Sequence, residues 1–150
     1  MKKNINKADV LATCLQKQEE LIESFENRVN ESKADTISRN HSASQSEDRT
    51  AGKMELLNTY RNELAFAKSE MGFLRSLDAT MKHTRVEPGA MVITKQLNFF
   101  IGVSSEKIEV NGEEVFGIST NAPIYKMMEG MGKDDKFQFN KIEYIIEAVY

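Results

Sequence analysis

The side chains best suited to metal chemistry lie in a polar stretch near the middle of the sequence. Glu47 and Asp48 are adjacent there, Asp35 precedes them and Glu55 follows them. Carboxylate oxygens are the hard ligands that Mg²⁺ prefers, so two neighbouring carboxylates can share a cation. The stretch is also rich in serine, threonine and other charges, and a solvated loop without any metal is the alternative interpretation.

Basic residues flank these carboxylates. Arg39, Arg49 and Lys53 lie in or beside the same stretch, and Arg49 and Lys53 are the residues that we expect to contact nucleic acid, if any do. The formal net charge of the chain is −3, so the chain as a whole is not attracted to DNA or RNA. Solvated surface charge is the competing interpretation of these cations.

Other metal and nucleophile chemistry is disfavoured. His41 and His83 are far apart, and a single cysteine, Cys14, excludes an internal disulfide and a cysteine zinc cluster. Cys14 falls beside Leu11 and Leu15 on an apolar helical face, which favours a buried thiol over a nucleophile. We therefore expect no metal site built on histidine or cysteine.

A second stretch of interest, TNAPIYKMMEGMGKDDKFQF, spans residues 120–139 and concentrates methionine near the C-terminus. One face of a short helix can point inward, so three methionines beside a proline and an isoleucine exceed what the core needs. An exposed apolar patch usually marks a contact surface. We predict that a partner docks on Pro123, Ile124, Lys126, Met127 and Met128, and the alternative is that the methionines plug the end of a small sheet.

Two long segments must position the polar stretch, and both have the apolar spacing of amphipathic helices. From Lys7 to about Lys33 the stripe is interrupted by Gln18, and from about Lys53 to Met81 it is close to a heptad seam. The two stripes are formed by Leu11, Leu15, Ile22, Phe25 and Val29, and by Leu57, Tyr60, Leu64, Ala67, Met71 and Leu74. Each helix would be roughly 40 Å long.

Neither stripe can be buried by its own helix. The spacing therefore predicts an antiparallel coiled-coil hairpin over residues 1–82, with a polar tip at about 34–53. The same stripes could also pair between two chains, so a dimer stays open.

After Pro88-Gly89 the pattern changes to the alternation typical of strands. The strand-like segments are MVITKQLNFFIGV, EKIEV, EEVFGIST, DKFQF and IEYIIEAV, and Asn111-Gly112 is a strong signal for a type I′ hairpin. Asn140-Lys141 is a weaker turn of similar length. The sequence predicts an α+β chain whose second part, residues 87–150, is a small antiparallel β domain with one helical turn at about 123–131.

The N-terminal lysines are not followed by an apolar run that could serve as a secretory signal. No segment reaches the roughly 18 apolar residues of a membrane span. We therefore expect a cytoplasmic protein that does not contact a membrane.

The segment NAPIYKMMEGMGKDDKF resembles a motif of the bacterial Gre-type transcription elongation (transcript cleavage) factors, which runs Ser-Pro-Leu/Ile-Gly-Lys/Arg-Ala-Leu-Leu-Gly-Lys-Lys-Val-Gly-Asp. The matching positions are Pro123, Ile124, Lys126, Met128, Gly130 and Asp135. Ala122, Tyr125 and Asp134 depart from the motif, where the family usually has Ser, Gly and Gly. The resemblance covers residues 88–150 in motif and the whole chain in architecture, and it implies an FKBP-like fold for the second part.

The resemblance implies a partner and a mechanism. Gre factors bind RNA polymerase at the rim of its secondary channel through the C-terminal domain and send the helical hairpin down the channel. Carboxylates at the tip then help to hold a second Mg²⁺ in the polymerase active site, which activates water to cut backtracked RNA. By this resemblance Glu47 and Asp48 would assist that metal, and the tip could meet RNA or DNA. The resemblance also implies a protein that is not itself an enzyme, takes no small-molecule substrate and binds no metal or cofactor stably by itself.

The tip departs from the family, and this leaves alternatives. The family's Asp-Leu-Ser-Glu-Asn-like sequence is absent, so the chain could occupy the channel and regulate polymerase without stimulating cleavage. A coiled-coil adaptor unrelated to transcription is a second alternative. Prolyl isomerase activity, which some FKBP-like folds have, is disfavoured because the C-terminal aromatic residues alternate as core residues do.

Overall fold

The computed structural model of the chain describes residues 5–39 and 47–150, and the side chains of residues 35–39 and 47–51 lie outside that description. Two long helices come first, and a six-stranded sheet with one short helix follows them. The elements are α1 (Lys7–Arg39), α2 (Glu47–Ser76), β1 (Met91–Thr94), β2 (Asn98–Gly102), β3 (Lys107–Val110), β4 (Glu113–Ser119), α3 (Pro123–Met128), β5 (Lys136–Phe139) and β6 (Ile142–Val149). The predicted α+β class and order of elements are confirmed. No helix within the described ranges has the length and apolar character needed to cross a membrane.

The chain divides into two compact units, and the division differs from the predicted boundary at residues 82–87. A hairpin unit comprises Lys17–Gly72, whereas a sheet unit combines the chain up to Gln16 with Phe73–Tyr150. The base of each long helix belongs to the sheet unit because Val10, Cys14 and Leu74 are buried in the same core as residues of the sheet. The prediction that Cys14 is buried is confirmed.

Within the hairpin unit the two helices run antiparallel. The side-chain amide of Gln18 donates a 2.9 Å hydrogen bond to the carbonyl of Ala67, and both residues are buried. Nearer the tip, the guanidinium of Arg28 lies 6.0 Å from the ring centre of Tyr60. Gln18, which interrupts the apolar stripe in the sequence, thus contributes a polar contact that fixes the register of the two helices.

The helices extend further toward the tip than the apolar stripes indicate. Helix α1 continues to Arg39 and α2 begins at Glu47, so the tip predicted at residues 34–53 overlaps both helices. Helix formation here does not require a buried stripe, since neither of these end segments contains proline and each continues a helix that is already nucleated.

The sheet has the strand order β3-β4-β2-β1-β6-β5. All neighbouring strands are antiparallel except β2 and β4, which pair in parallel with Phe99 opposite Phe116. The chain makes that parallel pair by passing through β3, which forms a hairpin with β4. Asn111 and Gly112 at this turn have φ values of 53° and 81°, and Asn140 and Lys141 at the next hairpin have 50° and 66°. Both predicted two-residue turns are therefore confirmed.

Alternating residues of the central strands enter two cores on opposite faces of the sheet. Phe100 is buried with Val10 and Leu74 from the helix bases. Phe99, one residue earlier, is buried with Met128 of α3 on the other face. This is the consequence of the two-residue period of a strand, and it leaves α3 as the helix that covers the second core.

The two ends of the described chain meet in the sheet unit. The hydroxyl of Tyr150 donates a hydrogen bond of 2.6 Å to the carbonyl of Ile5, and the amide of Ile5 donates one of 2.9 Å back to that hydroxyl. The backbone of Tyr150 also exchanges two hydrogen bonds with Met91. Burial raises the pKa of the Tyr150 phenol, so the hydroxyl is neutral and able to donate at physiological pH.

Candidate functional site

Helix α3 is short and begins with a residue that suits a helix start. Pro123 occupies the first turn, where its missing N–H is not needed and its fixed φ matches the helix. Ala122 at the N-cap is extended, with φ −68° and ψ 138°, and its side chain makes no capping hydrogen bond. Beyond the last turn, Gly130 has φ 76° and its amide donates to the carbonyl of Val86. The helix thus ends at its C-cap Glu129, whose backbone has φ −51° and ψ 129°, and the left-handed Gly130 that follows is tied to Val86.

The six residues of α3 divide between core and surface. Tyr125 and Met128 are buried, with 4% and 0% of their surface exposed, in the core that also contains Phe99 and Phe137. Met127 is 47% exposed, and Pro123 and Lys126 are exposed as well. The predicted docking surface therefore loses Met128, because a fully buried side chain cannot contact a partner.

The remaining docking surface consists of Pro123, Ile124, Lys126 and Met127. Ile124 is half-buried against the core beneath it, so only part of its side chain is available. The face combines an apolar centre at Met127 with one cation at Lys126. We use the name α3 face for these four residues.

Two carboxylates lie near Tyr125, the buried aromatic residue of α3. Burial raises the pKa of the Tyr125 phenol, and the nearby charges of Glu129 and Glu87 raise it further. Glu87 is held in place by His83, whose Nδ1 lies 2.6 Å from its Oε1. The phenol of Tyr125 is therefore neutral at physiological pH, and Lys126 is the charged residue of the α3 face itself.

The segment that follows α3 is fixed by backbone contacts rather than by apolar packing alone. The amide of Gly132 donates a 2.8 Å hydrogen bond to Oδ2 of Asp135. Asp134 has φ 73°, and its amide donates to the carbonyl of Ile146 over 2.8 Å. Positive φ is unusual for a non-glycine residue, so the neighbouring hydrogen bonds must hold Asp134 in this conformation. The α3 face is consequently presented on a rigid support.

The predicted tip residues are not brought into a described site. Glu47 and Asp48 lie in the first turn of α2, and their side chains, together with those of Asp35, Arg39 and Arg49, lie outside the described residues. Lys53 is half-buried and Glu55 exposed. In the part of the chain whose side chains are described, no group of three or more His, Cys, Asp or Glu residues could hold a metal.

The sequence analysis missed two features of the surface. It did not foresee that Tyr125 would be a core residue, although an aromatic residue three positions before Met128 on a helix is a signal for one buried face. It also did not single out Phe66, which is 64% exposed. Phe66 lies next to the seam residue Ala67. A large aromatic residue outside the apolar stripe was the signal in the sequence that could have indicated an exposed apolar side chain.

Comparisons with known proteins give a weak likeness. No protein-family model and no curated protein matches the chain. Its sequence is 14% identical to GreA factor homolog 1 (Gfh1) of Thermus thermophilus, whose crystal structure matches with a TM-score of 0.34 over 91% of this chain and 94% of that one. Gfh1 of Thermus aquaticus is 16% identical, with a TM-score of 0.34 over 90% of this chain and 92% of that one. Another structure, of the transcription factor Gfh1, is 13% identical in sequence and matches with a TM-score of 0.35 over 91% of this chain and 92% of that one.

A likeness of this size carries no argument about function. What the chain has in its own right is an α+β architecture of a helical hairpin followed by a six-stranded sheet, and a short helix that exposes an apolar face on a rigid support.

Proposed function

We propose that this chain is a Gre-like transcription factor that binds RNA polymerase at the rim of the secondary channel and modulates elongation in the bacterial cytoplasm. The observation that carries the proposal is the α3 face. Met127 is exposed at its centre, while Tyr125 and Met128 hold the same helix in the core. An exposed apolar residue on a rigid element is the usual form of an interface anchor.

The backbone of this segment supports the resemblance at two of the three positions where the sequence departs from the Gre motif. Ala122 is the extended N-cap of α3, a position at which the family's serine would accept a hydrogen bond from the first turn. Asp134 is left-handed, which a glycine adopts without strain. The third departure, Tyr125, is different, because its side chain fills the core where the family has no side chain at all.

In this proposal the chain is not an enzyme by itself. The hairpin enters the channel, and Glu47 and Asp48 lie near its tip because they begin α2. A second Mg²⁺ in the polymerase active site would supply an activated water and stabilise both the attacking and the leaving oxygen. The chain's contribution is negative charge placed beside that metal, while Arg49 and Lys53 are placed to meet RNA or DNA phosphates.

The docking half of the proposal is tested by affinity for core RNA polymerase. Met127→Asp should weaken binding by thirtyfold or more, which corresponds to about 2 kcal/mol. Met81→Asp is the matched control, since Met81 is 57% exposed but lies away from α3 in the sequence. Equal affinity of Met127→Asp and the parent would remove the α3 face from the interface. A parent that does not bind polymerase at all would favour a helical adaptor unrelated to transcription.

The tip half is tested by cleavage of a stalled, backtracked transcript. A double variant, Glu47→Gln with Asp48→Asn, keeps the size and polarity of both side chains and removes their charge. We expect it to bind polymerase as the parent does and to lose stimulated cleavage, and the parent should lower the Mg²⁺ concentration that cleavage needs. A parent that binds but never stimulates cleavage would instead be a regulator that occupies the channel.

A further inference from the structure

A groove crosses the hairpin unit between α1 and α2. Its volume is about 430 Å³. Its apolar lining comes from Leu21 and Phe25 on α1 and from Phe66 and Ala67 on α2. Leu21 is 41% exposed and Phe66 is 64% exposed. Both helices thus contribute large apolar surface to one concave site that is distinct from the α3 face.

The groove exists because the seam is not filled by a large apolar side chain at this level. Ala67 is small and buried, and the residue that reaches it from α1 is Gln18. The amide of Gln18 donates to the carbonyl of Ala67 and lies 3.4 Å from Oε1 of Glu70. A polar residue therefore occupies the place where a leucine would close the seam, and Phe66 lies beside it without being covered.

The charge of the groove has one sign. Glu63 and Glu70 are the charged residues of its lining. Burial raises the pKa of Glu70, and its hydrogen bond with Gln18 opposes the shift. Two cations of the hairpin already have partners: the amine of Lys68 lies 3.8 Å from Glu26, and Arg28 lies over the ring of the lining residue Phe25, 5.4 Å from its centre. An occupant with a positive charge would complement the two carboxylates.

We propose that this groove binds an amphipathic helix of another protein, with a large apolar side chain between Leu21 and Phe66 and a lysine or arginine beside Glu63 and Glu70. Helix-in-groove recognition of this kind reads apolar anchors at helical spacing. A second copy of this chain is disfavoured, because it would bring two sets of these carboxylates onto one apolar face. Nucleic acid and an anionic membrane are disfavoured by the same charge. The inference is independent of docking through the α3 face.

The test uses the full chain and two dye-labelled synthetic peptides of 18 residues. Both carry leucine at i, i+3, i+4 and i+7, and they differ in having lysine or glutamate at the flanking positions. Binding is measured by fluorescence anisotropy at about 0.15 M salt, where long-range attraction is largely screened. We expect the lysine peptide to bind and the glutamate peptide to bind at least tenfold more weakly.

Variants then locate the site. Phe66→Ser, and separately Glu63→Gln with Glu70→Gln, should each weaken binding of the lysine peptide about tenfold. The matched control is Leu56→Ser, since Leu56 is 47% exposed on the same helix but does not line the groove. Far-UV circular dichroism and thermal denaturation should show all variants folded, because none of these changes removes a buried apolar side chain.

Three results would overturn the proposal. The first is binding that Phe66→Ser leaves unchanged or that Leu56→Ser weakens equally. The second is a glutamate peptide that binds as tightly as the lysine peptide. The third is self-association of the parent in sedimentation equilibrium that Phe66→Ser abolishes, which would make a second copy the occupant.

Discussion

Adjacent methionines of α3 should differ sharply in what they contribute to stability. Met128 is fully buried and Met127 is 47% exposed, so Met128→Ala removes core packing while Met127→Ala removes mostly hydrated surface. Truncation of a buried methionine to alanine costs about 2–5 kcal/mol, whereas exposed substitutions usually stay within about 0.5 kcal/mol. A helix of six residues cannot hold itself together in water. Tyr125 and Met128 are its buried residues, so we expect the cost of Met128→Ala to be near the middle of that range.

A loss of about 3 kcal/mol lowers the melting temperature of a chain of this size by roughly 6–12 °C. Urea denaturation followed by circular dichroism gives the free energy of unfolding, and the midpoint should fall with little change in slope. Hydrogen exchange adds a local measurement: the amides of Glu129 and Gly130, which bond to Tyr125 and Val86, should exchange faster in Met128→Ala only. The reasoning is refuted if the two variants are equally stable, or if Met127→Ala is the more damaging.

Three further changes test local features. Lys141→Gly should raise the free energy of unfolding by about 0.5–1 kcal/mol, because Lys141 has φ 66° in its turn; a decrease would show that the lysine side chain makes a stabilising contact. Ala122→Ser should add up to about 1 kcal/mol by capping α3, measured in urea, and no gain would mean that its hydroxyl does not reach the first turn. The pKa of Glu70 is raised above 4.5 by burial, so the folded state binds more protons than the unfolded state and stability falls as pH rises from 4.5 through the folded pKa. Glu70→Gln should flatten the stability profile from pH 4.5 upward, and an unchanged profile would assign the dependence to other groups.

The sequence predicts the helices and strands of this fold well because its apolar residues recur with the regular spacing of each element. The alternation after Pro88 and the Asn111-Gly112 turn locate the strands and their hairpin, since both depend on local rules. The division into units was less predictable. Whether the base of a helix packs on a sheet depends on contacts between residues distant in sequence, such as Val10 and Phe100. The spacing of apolar residues within one segment does not predict such contacts.

The exposure of the α3 side chains was predicted in part. Composition indicates that the methionines of α3 exceed what one buried face can hold, but it does not say which of Met127 and Met128 faces inward. That choice depends on how Pro123 starts the helix and how Glu129 ends it. The groove on the hairpin was missed for a related reason: Gln18 was recognised as an interruption of the stripe, yet its hydrogen bond to Ala67 and the exposed Phe66 beside it require the paired helix.

The contact between Ile5 and Tyr150 bears on how the chain folds during synthesis. These residues are 145 positions apart and share two hydrogen bonds in the sheet unit. The hairpin unit comprises residues 17–72, so all residues that make its internal contacts are translated before the strands of the sheet. Tyr150 packs against the core that buries Ile5 and Val10, so its contacts with that core form only after Tyr150 has left the ribosome.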